Sequence, residues 1–270
     1  MWSCPLLSTQ AIWGIAAAPP TGRIGVGGGW LAVGRTPNEQ ILSVPLLGGP
    51  VAVVADGHDP VISPSGNLLA YLSYNDITEA PEGIVVRNLL SGATRTWQGS
   101  NSLSLNTGLS WAPDSKSLSF ATTTATKASE VLSASVLDLS SPNRSLDEAR
   151  KIPLPPGMAW AGYLNSTQGI GVIQHVSLPN RYWFELTVVD MTTGRTVKRL
   201  QTVPGLIGGG GLGAGVQVDP SGRHLAVDVS DGSGHGNLYR WTVSTDPTRI
   251  SAGPILVKDG VLSEAWVPAR

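Results

Sequence analysis

"GGGGLGAGVQVDPSGRHLAV", Gly208 to Val227, decides how the chain is read. Gly208, Gly210 and Gly213 have the G-x-G-x-x-G spacing of a loop that cradles a dinucleotide phosphate. Such a loop must follow a strand and open a helix, because the helix N-terminus faces the phosphate. Here the glycines lead into "VQVDPSGRHLAV", an alternating apolar run interrupted by Pro-Ser-Gly. That is a strand, a turn and a second strand. The stretch is therefore one line of a repeat, and its glycines serve close backbone packing or a loop between repeat units.

Working outward, the same line occurs elsewhere. It reads "VISPSGNLLAYLS" (Val61–Ser73), "LSWAPDSKSLSFAT" (Leu109–Thr122), "MAWAGYLNSTQGIGVI" (Met158–Ile173) and "VQVDPSGRHLAVDVS" (Val216–Ser230). The turns centre on Pro64, Pro113, Gly162 and Pro220. A further copy begins at "SEAWVPAR" (Ser263–Arg270), and a weaker one sits at "APPTGRIGVG" (Ala18–Gly27). Proline presets φ at the first corner of a β-turn, Asp or Ser bonds back to the backbone, and Gly accepts positive φ. After the turn Leu68, Ala70 and Leu72 alternate with other residues, as Leu225, Val227 and Val229 do. The spacing is about fifty residues, near the length of a propeller blade.

A second hairpin follows in each unit: "GIVVRNLLSGATRTWQ" (Gly83–Gln98), "VLSASVLDLSSPNRS" (Val131–Ser145), "FELTVVDMTTGRTVKRL" (Phe184–Leu200) and "NLYRWTVSTDPTRIS" (Asn237–Ser251). "QILSVPLLGGPVAVV" (Gln40–Val54) is the earliest version. Two hairpins per unit make four strands, one blade. The single helical candidate is "SLDEARKI", about two turns, where Ser145 and Glu148 have capping-box spacing.

These segments resemble the repeats of TolB-like, WD40-type β-propellers, which carry a W/F-S-P-D-G-x-x-L/I-A/V-F pattern. "LSWAPDSKSLSFAT" and "VQVDPSGRHLAV" carry it most fully, whereas the Met158–Ile173 copy lacks Pro-Asp-Gly. The resemblance implies an all-β fold, a single β-propeller domain over residues 1–270 built from four-stranded antiparallel blades. The expected blades span roughly 18–57, 58–104, 105–156, 157–207 and 208–256. A terminal strand in 257–270 then joins N-terminal strands between Trp2 and Ala18 to close a six-bladed ring with a mixed or incomplete last blade. A five-bladed ring is the alternative. Closure removes open sheet edges.

Composition agrees with that class. Of 270 residues only 14% are charged, while Gly 33 and Pro 20 are both abundant. Many short strands and many turns need this mixture, and helices do not tolerate it. The formal net charge of -1 projects no broad field, so nucleic acid is not an expected partner. One cysteine, Cys4, allows neither an intrachain disulfide nor a thiolate metal cluster. The apolar run Ala11–Ala18 has no Lys or Arg before it and is too short to span a bilayer. The expectation is a monomer with no membrane insertion, cytoplasmic as the chain stands. The cell envelope becomes the expected place if the N-terminus is incomplete.

Candidate sites are few. His224, Asp228, Asp231 and His235 are metal-ligating types close in sequence, and His224 and Asp228 share one face of a strand. The bland reading, a polar strand face beside a Gly-rich turn, is preferred, because a metal site needs three or four convergent ligands. No metal or other cofactor is expected. His58, Asp59 and Asp219 lie near strand starts, and His175 precedes Pro179. No G-x-S-x-G elbow or H-E-x-x-H helix occurs, and no catalytic residue is assigned. Nine Trp stand against two Phe. Trp111, Trp160 and Trp266 share one repeat slot and read as packing between blades. For Trp97, Trp183 and Trp241 the sequence leaves core and surface both open. "SLPNRYWFE" (Ser177–Glu185) gathers Arg181, Tyr182 and Trp183 at a loop-to-strand junction, the residue types that dominate interaction hot spots.

The resulting expectation is a non-enzymatic scaffold that binds a protein or other ligand, with Arg181, Tyr182 and Trp183 as its contact surface. The alternative is a hydrolase or lactonase with a metal or carboxylate site in the central channel. A third reading is a sensor domain separated from a membrane anchor.

Overall fold

The structure, a computed structural model, describes residues 2–4, 12–14, 24–27, 30–35, 40–45, 50, 52–74, 81–100, 103–125, 130–142, 144–178, 181–200, 215–218, 223–230, 236–243 and 252–261. They form an all-β molecule of consecutive antiparallel meanders. An N-terminal ribbon pairs β1 (Trp2–Cys4) with β2 (Ile12–Gly14). Five four-stranded sheets follow. The first is β3 (Ile24–Gly27), β4 (Trp30–Arg35), β5 (Gln40–Pro45) and β6 (Ala52–Asp56). The second is β7 (His58–Ile62), β8 (Leu68–Tyr74), β9 (Pro81–Asn88) and β10 (Thr94–Gln98). The third is β11 (Leu103–Trp111), β12 (Ser117–Ala125), β13 (Glu130–Asp138) and β14 (Arg150–Ile152). The fourth is β15 (Met158–Tyr163), β16 (Gln168–Leu178), β17 (Arg181–Asp190) and β18 (Thr196–Arg199). The fifth is β19 (Gly215–Val218), β20 (His224–Ser230), β21 (Gly236–Thr242) and β22 (Ala252–Val261). Each strand pairs only with its sequence neighbours, which is the connectivity of a propeller blade. The chain divides into two compact units between Lys151 and Ile152.

The turn chemistry shows why the meanders form. Ser63 N–H donates to the Leu68 carbonyl at 2.8 Å, and Gly66, at φ 74°, donates to Ser63 at 2.8 Å. One repeat later, Ala112 donates to Ser117 and Ser115 to Ala112, both at 2.9 Å. Ser115 holds φ 60° in the slot that glycine fills in the other copy, a conformation that costs an L-residue about 1 kcal/mol. The turn of the fourth sheet is not centred on Gly162, as the repeat suggests. Gly162 lies within β15 at a register shift, and the turn runs from Leu164 to Gln168. There the Asn165 side chain accepts from Thr167 and Gln168 N–H, both at 2.9 Å, and replaces Pro-Asp-Gly. "SLDEARKI" also differs from its reading. Only Leu146–Glu148 is helical, as one 3₁₀ turn. The Ser145 hydroxyl accepts from Asp147 N–H, and Arg150–Ile152 become a strand. The Pro220–Gly222 turn, the Gly208–Gly213 run and "SEAWVPAR" lie outside the described residues, and with them the expected terminal blade.

Within the first unit, β3 lies against β7 and β7 against β11; within the second, β15 lies against β19. First strands therefore adjoin first strands. Two hydrogen bonds tie equivalent turns at a separation of 50 residues: Trp111 Nε1 donates to Val61 O at 3.0 Å, and Ser65 N–H to Ser115 Oγ at 3.1 Å. Between the second and third sheets a cluster including Leu72, Ile84, Trp97, Leu118 and Phe120 is buried. In the second unit Ile170, Val188, Leu225 and Trp241 fill the corresponding layer. Trp97 and Trp241 are 1% and 0% exposed, so both are core residues. Trp111 and Trp160 are buried as well. Among the described residues no helix is long and apolar enough to cross a membrane.

Candidate functional site

The fourth sheet departs from its siblings in one hairpin. Among the described residues β16 and β17 span 11 and 10 residues, against 9 each for β12 and β13, 7 and 8 for β8 and β9 and 7 each for β20 and β21. β15 accompanies β16 only from Tyr163↔Gly169 to Met158↔Ile173. It stops there because "PLPPG" precedes Met158. Prolines 153, 155 and 156 have no N–H to give a ladder. Met158 N–H closes a turn onto Pro155 O at 3.1 Å, through Gly157 at φ 75°. On the other side, β18 pairs with Thr187, Val188 and Val189, and Leu200 N–H reaches Leu186 O at 2.8 Å. Beyond these limits, among the described residues, Gln174–Leu178 and Arg181–Glu185 pair only with each other. Their register is Gln174↔Phe184, His175↔Trp183 and Val176↔Tyr182, then a shift to Leu178↔Arg181.

The structure thus places Arg181, Tyr182 and Trp183 in the first residues of a strand, past the junction at which the sequence put them. The side chains of these three lie outside the described residues. At the base of the ribbon sits a polar cluster that sequence reasoning missed. Glu185 is 6% exposed. Its Oε2 is 3.5 Å from His175 Nε2, its Oε1 is 3.3 Å from Arg199 Nε, and the Thr187 hydroxyl donates to Oε1 at 3.4 Å. The strands bring these groups together. Glu185 and Thr187 are two apart on β17, Thr187 is opposite Arg199, and Glu185 is opposite Ile173, two residues from His175. A buried carboxylate is costly unless paired and hydrogen-bonded. Here both oxygens have partners, so the cluster pins β16, β17 and β18 together where the free ribbon begins. A signal existed: Glu185 occupies a position inside the otherwise apolar and β-branched run "FELTVV".

The other candidates are scattered. His58 and Asp59 lie in β7, where the register shifts between His58↔Leu72 and Val61↔Ala70. Asp59 is 8% exposed and holds φ 50°. The neighbouring Gly57, at φ 149°, leaves no room for a Cβ, which would stand 2.5 Å from the Tyr71 ring and 2.6 Å from Leu72 O. Burial pushes the Tyr71 hydroxyl above its ordinary range. His224 Nδ1 is 3.3 Å from Thr242 Oγ1. Asp228 is opposite Gly215 and Leu238 in the ladder, and its side chain is outside the described residues, as are Asp219, Asp231 and His235. Among the described residues no three His, Cys, Asp or Glu gather as metal ligands. The glycine run leads into strand β19.

No protein-family model matches the sequence, and no curated protein matches it. Solved structures do match. Kuenenia stuttgartiensis hydrazine synthase aligns at TM-score 0.52 and 17% identity over 80% of this chain and 63% of that one. The tricorn protease aligns at TM-score 0.56 and 14% identity over 90% of this chain and 26% of that one. Prolyl oligopeptidase B from Galerina marginata aligns at TM-score 0.52 and 14% identity over 89% and 34%. The chain spans less than two thirds of each. At such identities the likeness concerns fold alone, and the fold it shares with them is the β-propeller.

Proposed function

We propose that this propeller is a non-enzymatic recognition scaffold of the TolB-like, WD40-type class, working as a monomer. Its contact surface is Arg181, Tyr182 and Trp183 at the far end of the fourth-sheet hairpin. One observation carries the reading: a pinned hairpin extends past both its sheet neighbours and carries hot-spot residue types at its end. A protein partner, and not nucleic acid, suits a chain of net charge -1. The test is affinity capture from the native organism with tagged protein, with and without EDTA. One identified partner should be retained with EDTA and lost with Arg181→Ala/Trp183→Ala. Capture unchanged by the double substitution sinks this contact surface.

A hydrolase or lactonase is the second reading. It is favoured by Asp59, a buried carboxylate in a strained backbone conformation on a first strand. It requires lactone or ester hydrolysis by purified protein that Asp59→Asn abolishes while the thermal midpoint is unchanged.

A further inference from the structure

We draw no further inference here: the strongest candidate, the edge of β16 from Gln174 to Leu178 beyond the end of β15, carries nothing, because nothing in the structure shows what covers it.

Discussion

The seam between the second and third sheets and the hairpin of the fourth are built from the same repeat, and they spend their backbone differently. At the seam almost every feature of β10 is tied across to the next sheet. Arg95 lies 4.5 Å over the Trp97 ring, donates through one NH₂ to Leu139 O at 2.6 Å and through the other to Ser141 O. Gln98 N–H donates to Arg144 O at 3.0 Å, and Ser100 gives both its N–H and its hydroxyl to Asp147 at 2.8 Å. The fourth-sheet hairpin is anchored by Glu185 within its own sheet, and beyond it runs a ribbon whose described ladder is its own. The difference is one of saturation. The seam spends most of its donors on the next sheet, Arg95 Nε excepted, whereas the described ribbon pairs only within itself.

The seam should break hardest. Trp97→Ala removes a side chain that is 1% exposed and empties a layer between sheets, at a cost of about 3–5 kcal/mol in denaturant unfolding. A loss below 1 kcal/mol would mean that the seam is not the core it resembles. Next in size, native-state hydrogen exchange should find the amides of Gln174–Leu178 opening on the order of a hundredfold more readily than those of Ile84–Val86 in β9. Equal protection would show that the ribbon is covered. Glu185→Ala should cost about 1–3 kcal/mol by removing the common partner of His175, Arg199 and Thr187. It should also raise exchange along the ribbon, which Trp97→Ala should not do selectively.

The smallest effect is a matter of pH. The Asp147 carboxyl is held below the ordinary carboxylate range chiefly by the Ser100 hydroxyl, with help from the Ser100 N–H, Ser145 and Lys151. A carboxyl whose folded pKa is depressed adds stability above its unfolded pKa and loses it as pH falls through the folded value. Asp147→Asn should therefore lower the thermal midpoint slightly at neutral pH. The difference should shrink as pH falls below about 3.9. A difference that grows in acid would reverse the sign of this interaction.

The repeat and its turns were legible in the sequence because their cause is local. Pro64, Gly66, Gly92 and Gly194 dictate φ where they stand, and a fifty-residue period needs no structure to be counted. Gly162 misled because it has the residue type of a turn but lies inside a strand, while Asn165 does with a side chain what Pro-Asp-Gly does with the backbone. Trp97 and Trp241 stayed undecided because a strand of period two has two faces, and the sequence does not declare which one is covered. Glu185 stood out inside "FELTVV", but its set of partners was hidden for a different reason. It depends on the pairing register of β16 with β17 and of β17 with β18, and both ladders contain shifts. Arg181, Tyr182 and Trp183 were chosen by composition. Composition did not reveal that the strand begins at Arg181, nor that the neighbouring strands stop short.

Every ladder in the five sheets joins strands adjacent in sequence. During synthesis at about 5–20 residues per second, a sheet of this length takes several seconds to leave the ribosome. A hairpin closes in about 1–10 μs. Each sheet can thus be complete before its successor is translated. The seam bonds from Ser65 to Ser115 and from Trp111 to Val61 must wait a full repeat for their second partner. The nascent chain therefore grows as a queue of finished sheets, each exposing one apolar face for the time needed to make the next.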